Sequence, residues 1–156
     1  MDGVYENYEN LLAEFAREAG AKLEREKNSL SATLQVGDDG SLIVNLELLP
    51  ESGKLLAWAA VGRLGDDENA AARAAYLLSV NDTSFIESGF VTALDSRNGE
   101  VIAHDIRDLG WFDGADRLAA WIEALVELVR GVRIQCDERY PFVDDETFEP
   151  LIEEVK

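Results

Sequence analysis

The sequence is poor in the residues on which most active sites and metal centres depend. It contains one histidine, His104, and one cysteine, Cys136, among 156 residues. A single cysteine forms no internal disulfide, which favours a reducing compartment. The sequence also lacks the nucleotide-binding glycine loops, the hydrolase nucleophile motif and the zinc-binding His-Glu-x-x-His motif. We therefore expect no metal, no cofactor and no catalysis, and we interpret His104 as a sheet residue and Cys136 as a structural thiol.

Basic residues and long apolar runs are scarce as well. Lys and Arg number 14 against 32 Asp and Glu, so the net charge is −18. This charge disfavours nucleic acid and anionic membranes as partners and favours solubility and basic partners. No uninterrupted apolar run approaches the ~18 residues of a membrane span. The first residues carry neither a basic segment nor an apolar run, so we expect no secretory signal peptide.

The patterning that is present predicts one α+β domain. Apolar residues recur every three to four positions over 5–19, a spacing typical of an amphipathic helix, and an alanine-rich helix is predicted from about 66 to 80. A third helix is predicted from 115 to about 132. Five strands alternate apolar and polar residues or are apolar on both faces: 30–36, 42–48, 55–61, 90–94 and 101–106. The order α-β-β-β-α-β-β-α with short hairpin turns indicates a mainly antiparallel, twisted sheet covered by helices.

The same patterns predict where the domain ends and which elements are covered by other parts of the protein. We expect the α+β domain to span 1–133 and an acidic tail to span 134–156, with enough apolar residues to dock as a short helix. The third strand contains Trp58 and is apolar on both faces, so we expect it to be covered on both. The second helix is apolar around much of its circumference, so it too is expected to be covered on more than one side. Asp66 or Asp67 is the predicted N-cap of that helix.

Four segments of the chain resemble the class I type III secretion chaperones, the Tir-chaperone family. The opening of the first helix, the Leu-Leu-x-x-Asn end of the second helix, the late hairpin and the last helix resemble the family's in order and spacing: 11–16, 77–81, 89–101 and 118–129. The charged segment 21–28 and the long tail after Arg133 depart from the family's pattern.

This resemblance implies a small, acidic, cytoplasmic bacterial homodimer. Such a protein would bind the N-terminal region of a secreted effector as an extended segment and keep it export-competent, without nucleotide hydrolysis. An extended segment binds by adding a strand to a sheet edge and by placing apolar side chains in surface grooves.

Residue size and apolar patterning indicate candidate contact residues for these partners. Small residues allow close approach across a twofold axis, so the dimer interface is predicted on the second helix, at Ala71, Ala74, Ala75 and Leu78. The first helix and the first three strands carry more apolar residues than are needed to cover one face of a small sheet. Some of these residues are predicted to line a groove for the partner: Phe15, Ile43, Leu49 and Trp58.

Three other interpretations fit the same residues. The main alternative is a regulatory or stress-linked binding module, similar to the YbjN-like proteins, with the same fold and no secretion client. A soluble domain whose apolar residues all belong to its core is a second. An enzyme is a third, resting on the acid pairs 38–39, 66–67 and 144–145, although none has the spacing of a calcium loop.

Overall fold

The chain forms three helices and six strands in a computed structural model that describes residues 2–19, 22–26, 29–37 and 41–142. The elements follow in the order α1, β1 to β4, α2, β5, β6 and α3. Their bounds are α1 Asp2–Ala19, β1 Leu23–Glu24, β2 Ser31–Val36, β3 Leu42–Leu49, β4 Lys54–Arg63, α2 Ala70–Glu87, β5 Val91–Asp95, β6 Glu100–Asp108 and α3 Ala115–Arg139, with a short 3-10 helix at Leu109–Trp111.

The strands form one sheet in the order β1-β2-β3-β4-β6-β5. Strands β1 to β4 pair antiparallel with their neighbours along the chain, and β5 pairs antiparallel with β6. Gln35 lies opposite Ile43, and Asn45 lies opposite Trp58. The predicted α+β class, the antiparallel sheet and the element order are confirmed, with β1 as one additional strand.

The chain divides into two compact units. Unit 1 comprises residues 1–59 and 105–126, and unit 2 comprises 60–104 and 127–156. The strands β4 and β6 and the helix α3 contribute residues to both units.

The core of unit 1 joins one stripe of α1 to the inward side chains of β2, β3 and β4 and to the first half of α3. The stripe predicted on α1 is buried at Tyr8, Leu12 and Phe15. Every second residue of β3 and of the unit 1 part of β4 is buried, because strand side chains alternate between the two faces. Helix α3 contributes Leu118 and Trp121.

The core of unit 2 lies between α2, the β5–β6 hairpin and the second half of α3. Phe90, Ala103 and Val129 are fully buried there, and Leu77 is the buried leucine of α2. Arg133 of α3 donates from Nε to the backbone oxygen of Val61 and from Nη2 to that of Ala60.

The structure differs most from the predicted elements at β1, α2 and α3. Strand β1 lies in the charged segment 21–28, where no strand was predicted because two residues are too few to show an alternation. Helix α2 begins after Asn69, which is its N-cap, whereas Asp67 pairs with Arg73. At its other end, α2 continues to Glu87 through polar residues of low helix propensity. Helix α3 continues to Arg139, so residues 134–139, predicted as tail, are helical. The docked helix predicted farther along the tail lies outside the described residues.

Candidate partner-binding surfaces

The outward face of the sheet in unit 1 carries apolar side chains that no helix among the described residues covers completely. On β3, Leu42, Val44, Leu46 and Leu48 point inward and are buried. The residues between them point outward, where Ile43 is 46% exposed and Leu49 is half-buried. On β4, Leu56 and Trp58 are half-buried at outward positions, so the expected complete covering of this strand is not found in the described chain. The surface is named here the outer sheet face: Ile43, Leu49, Leu56, Trp58 and Ile106.

Ile106 joins this surface from β6. The Nε1 atom of Trp121 on α3 donates to Oδ2 of Asp105 at 2.9 Å, and Arg107 Nε bonds the same oxygen at 2.8 Å. Asp105 and Arg107 therefore face α3, and Ile106 between them faces the opposite side, where it is 43% exposed. Sequence reasoning missed Ile106, because the sequence alone does not show that Asp105 and Arg107 face α3.

Polar groups separate the apolar side chains of the outer sheet face. The Nδ2 atom of Asn45 donates to the backbone oxygen of Trp58 at 3.4 Å, and Glu47 lies opposite Leu56. The surface therefore combines apolar anchors with an amide and a carboxylate, a composition suited to a peptide that carries both apolar and polar side chains.

Phe15 does not belong to this surface. It lies on the buried stripe of α1 and is only 3% exposed. The prediction that Phe15 could line a groove is corrected by its position: an aromatic residue on a helix stripe packs into the core of unit 1, where it contributes its large apolar area to folding.

Helix α1 also fixes the chain that leads into β2. The hydroxyl of Tyr8 donates to the backbone oxygen of Leu30 at 3.1 Å, and burial raises the pKa of Tyr8 to about 12, although Arg25 opposes the shift. The guanidinium of Arg25 contacts the carboxylate of Glu9 at 2.6 Å and donates to the backbone oxygen of Ser29 at 2.8 Å. Beyond this support, β1 pairs with only two residues of β2, so it shields that strand over a short length.

A separate cavity in unit 1 lies between α1 and the 3-10 helix. Its volume is about 390 Å³, and its lining includes Asn7, Asn10, Glu14, Leu109 and Phe112. One carboxylate and two amides do not make a metal site. Among the described residues, no group of three or more His, Cys, Asp or Glu side chains is arranged to hold a metal ion.

The second surface is the exposed side of α2 in unit 2, named here the α2 face. Ala71, Ala75 and Leu78 are exposed, with Leu78 at 71%, and Ala74 is half-buried. Ala74 and Leu78 line an open depression of about 190 Å³ together with Leu94 of β5. The four predicted interface residues thus share one side of the helix, and the second covering expected for α2 is not supplied by the described chain.

Two large apolar residues that sequence reasoning missed extend the α2 face. Phe85 is 66% exposed and Ile86 is 79% exposed, both in the last turns of α2. They were missed because the helix was predicted to end near Val80. Extending the three-to-four-residue spacing of Ala71, Ala75 and Leu78 by two more turns would have reached Phe85.

The two residue types suited to catalysis have ordinary surroundings. His104 is half-buried in β6 and lies opposite Val91. Cys136 is a free thiol buried in the last turns of α3, and burial raises its pKa. A raised pKa disfavours the thiolate, which is the nucleophilic form. No helix among the described residues is both long and apolar enough to cross a membrane.

Solved structures with the same fold include chains from three protein complexes, one of which contains a type III secretion chaperone. A chain in the structure of the HopA1–SchA chaperone–effector complex matches with a TM-score of 0.67 and 18% identity, over 86% of this chain and 98% of that one. A chain in the ExsC–ExsE complex matches with a TM-score of 0.65 and 20% identity, over 89% and 97%. A chain in the structure of the Yersinia pestis type III secretion chaperone SycH with a stable fragment of YscM2 matches with a TM-score of 0.57 and 25% identity, over 80% and 98%.

No protein-family model matches the chain, and no curated protein matches its sequence significantly. The chain therefore has the fold of the type III secretion chaperones, as the resemblance of its helices and late hairpin predicted.

Proposed function

We propose that this protein is a cytoplasmic chaperone that binds the N-terminal region of a type III secretion effector as an extended segment. It keeps that segment soluble and export-competent, acts as a homodimer and hydrolyses no nucleotide. The observation that supports this proposal most directly is the outer sheet face, a partly exposed apolar surface on a chain with the secretion-chaperone fold.

The outer sheet face suits an extended segment because of its spacing. Side chains of an extended peptide alternate every residue, so every second residue can enter an apolar site while its neighbours face solvent. Ile43, Trp58 and Ile106 supply three such sites from three different strands. Asn45, which lies opposite Trp58, and Glu47, which lies opposite Leu56, can bond the backbone or basic side chains of the segment.

The net charge of −18 also suits a protein with an exposed apolar binding surface. A protein that exposes apolar side chains is prone to self-association, and a large net charge of one sign opposes it. The charge also favours segments that carry Lys or Arg.

The α2 face supports the homodimer. It presents small residues beside large apolar ones, which allows close approach and apolar burial in the same contact. A C2 contact brings one surface patch against its own copy, so a helix with this composition is suited to it.

Binding to an effector fragment tests the proposal. The full chain is used as bait in a lysate of its native host, and the captured protein is identified by mass spectrometry. Its N-terminal region and the remainder are then purified and titrated separately against the full chain. We expect the N-terminal region alone to bind. Capture of a cytoplasmic regulator would favour the YbjN-like alternative, and binding by the remainder alone would contradict the proposal.

Substitution of Ile43 then tests the surface. In Ile43→Asp, a carboxylate replaces an apolar anchor at a solvent-exposed position, so we expect binding to weaken at least tenfold without loss of the folded state. The matched control is Ile134→Asp, since Ile134 is also exposed, at 57%, but lies on α3. Equal binding by both variants and the unmodified chain would move the client site away from the outer sheet face.

A further inference from the structure

Strand β5 ends the sheet, so one side of it faces no other strand of the described chain. Along an antiparallel strand, the N–H and C=O of one residue point to the same side, and successive residues alternate sides. The outward groups of an edge strand are a template for strand addition by another chain.

A side-chain amide occupies the middle of this edge. The backbone N–H of Thr92 donates to Oδ1 of Asn81 at 2.7 Å, and Nδ2 of Asn81 donates to the backbone oxygen of Thr92 at 3.0 Å. These two bonds are the pair that a residue of a neighbouring strand would make. The hydroxyl of Thr92 also donates to the same Oδ1 at 2.9 Å, and Thr92 is buried.

The outward backbone groups on either side of Thr92 differ in their hydrogen bonding. Before β5, the backbone N–H of Phe90 donates to Oγ of Ser88 at 3.3 Å. After Thr92, the next outward residue is Leu94, whose side chain is 42% exposed. With Thr92 engaged, strand addition at β5 would have only the peptide groups of Leu94 to use, and one residue does not define a register.

We infer that Asn81 is a specificity-determining residue that closes the edge of β5 to strand addition. A second copy of the chain, or an extended peptide, then binds this part of unit 2 only through the side chains of α2 and β5. This inference goes beyond the proposed function because it needs no effector, and it restricts where an extended client can add a strand.

The chain itself is the probe in the test. We expect Asn81→Ala, as purified full-length protein, to show at least tenfold faster amide hydrogen exchange at Thr92. In sedimentation runs at increasing concentration, it should form oligomers larger than those of the unmodified chain. Asn81→Gln, whose longer side chain displaces the amide but keeps its polarity, should change both measurements in the same direction.

A double variant separates edge opening from general destabilisation. Asn81→Ala with Thr92→Pro removes the outward N–H, and proline is tolerated on an edge strand at a position whose N–H does not bond the neighbouring strand. We expect this double variant to return to the association state of the unmodified chain. The matched control is Asn45→Ala, which loses the amide bond to Trp58 of β4 without opening an edge, and which should not associate further.

Three results would overturn the inference. One is continued protection of the Thr92 amide in Asn81→Ala. Another is association that the added Thr92→Pro fails to reverse. The third is loss of the folded state in both Asn81 variants, which would mean that the Asn81 amide is needed to pack α2 against β5. Because no effector is present, none of these results depends on whether the proposed client exists.

Discussion

Arg73 of unit 2 is the centre of a buried polar network. Its side chain is fully buried, yet it lies in an alanine-rich helix where an arginine resembles a solvated residue. It bonds Oδ1 and Oδ2 of Asp67 at 2.9 and 3.1 Å and donates to the backbone oxygens of Leu64, Tyr140 and Pro141. One guanidinium thus joins the start of α2 to the chain that follows α3.

The chain after α3 is held by packing as well. The centroid of the Phe142 ring lies 5.9 Å from the Arg73 guanidinium carbon, and a Cβ at Gly62 would clash with the same ring. Gly62 is therefore required by a close approach, which the sequence around β4 does not reveal.

Removing Arg73 should strongly destabilise the protein. Arg73→Ala leaves three carbonyl oxygens without their charged donor, so we expect the free energy of unfolding to fall by about 2–3 kcal/mol. Urea unfolding followed by circular dichroism measures the change. Arg97→Ala is the control, because the Arg97 side chain is 88% exposed in its ion pair with Asp95, and its unfolding midpoint should not move. Equal midpoints for the two variants would contradict the assignment.

Tyr8 predicts a dependence of stability on alkaline pH. Burial raises its pKa to about 12 in the folded chain, from 10.0. Since the folded state favours the protonated phenol, this contribution is fully present below pH 10 and is lost as pH rises toward 12. We expect Tyr8→Phe to be about 1 kcal/mol less stable than the unmodified chain at pH 7, because it loses the bond to Leu30. The difference measured by urea unfolding should shrink between pH 10 and 12, and a constant difference would contradict the prediction.

At the scale of elements, periodicity predicted the helices and strands that bury one face, and local chemistry decided where they end. The alternation over Leu42–Leu49 and the stripe of α1 were readable because burial selects apolar residues at a fixed spacing. The last turns of α2 could not be predicted from the sequence, because Asn81, Asp82 and Thr83 have low helix propensity. Tertiary contacts such as the Asn81–Thr92 hydrogen bonds stabilise these turns.

The same difference governed the candidate surfaces. Ile43 and Leu49 could be predicted because they break a polar alternation, and both lie on the outward side of β3. The sequence could not distinguish Phe15 from these surface residues, because an apolar residue on a helix stripe gives the same pattern whether it faces the core or a partner. Ile106 became visible only when Asp105 and Arg107 beside it were placed, whereas Phe85 was missed because α2 was predicted to end near Val80.

The α2 face yields a prediction for the element as a whole. We expect the unmodified chain to be a dimer at micromolar concentration, and we expect Ala74→Glu to shift it to monomer, because a charge would enter an apolar contact next to its own copy. Sedimentation velocity measures both. Ala72→Glu is the matched control, since Ala72 is exposed on another side of α2, and it should remain dimeric. A monomeric unmodified chain would contradict the prediction.

At the scale of the whole molecule, net charge and exposed apolar surface act against each other. Each chain carries −18 at neutral pH, so two copies repel, while Leu78, Phe85 and Ile86 favour their association. The repulsion acts through solvent and is screened by salt, whereas apolar burial is not weakened by it. The balance between the two therefore depends on ionic strength.

We expect salt to tighten the dimer. Between ~0.01 M and ~0.15 M NaCl, the Debye length falls from about 30 Å to about 8 Å, so the repulsion between two acidic chains weakens while the apolar contact of the α2 face persists. The dimer dissociation constant, measured by sedimentation equilibrium, should fall severalfold over this range. Ala74→Glu should remain monomeric at both concentrations, because its added charge lies inside the contact. A dissociation constant that rises with salt would mean that ion pairs between the copies, and not apolar side chains, hold the dimer together.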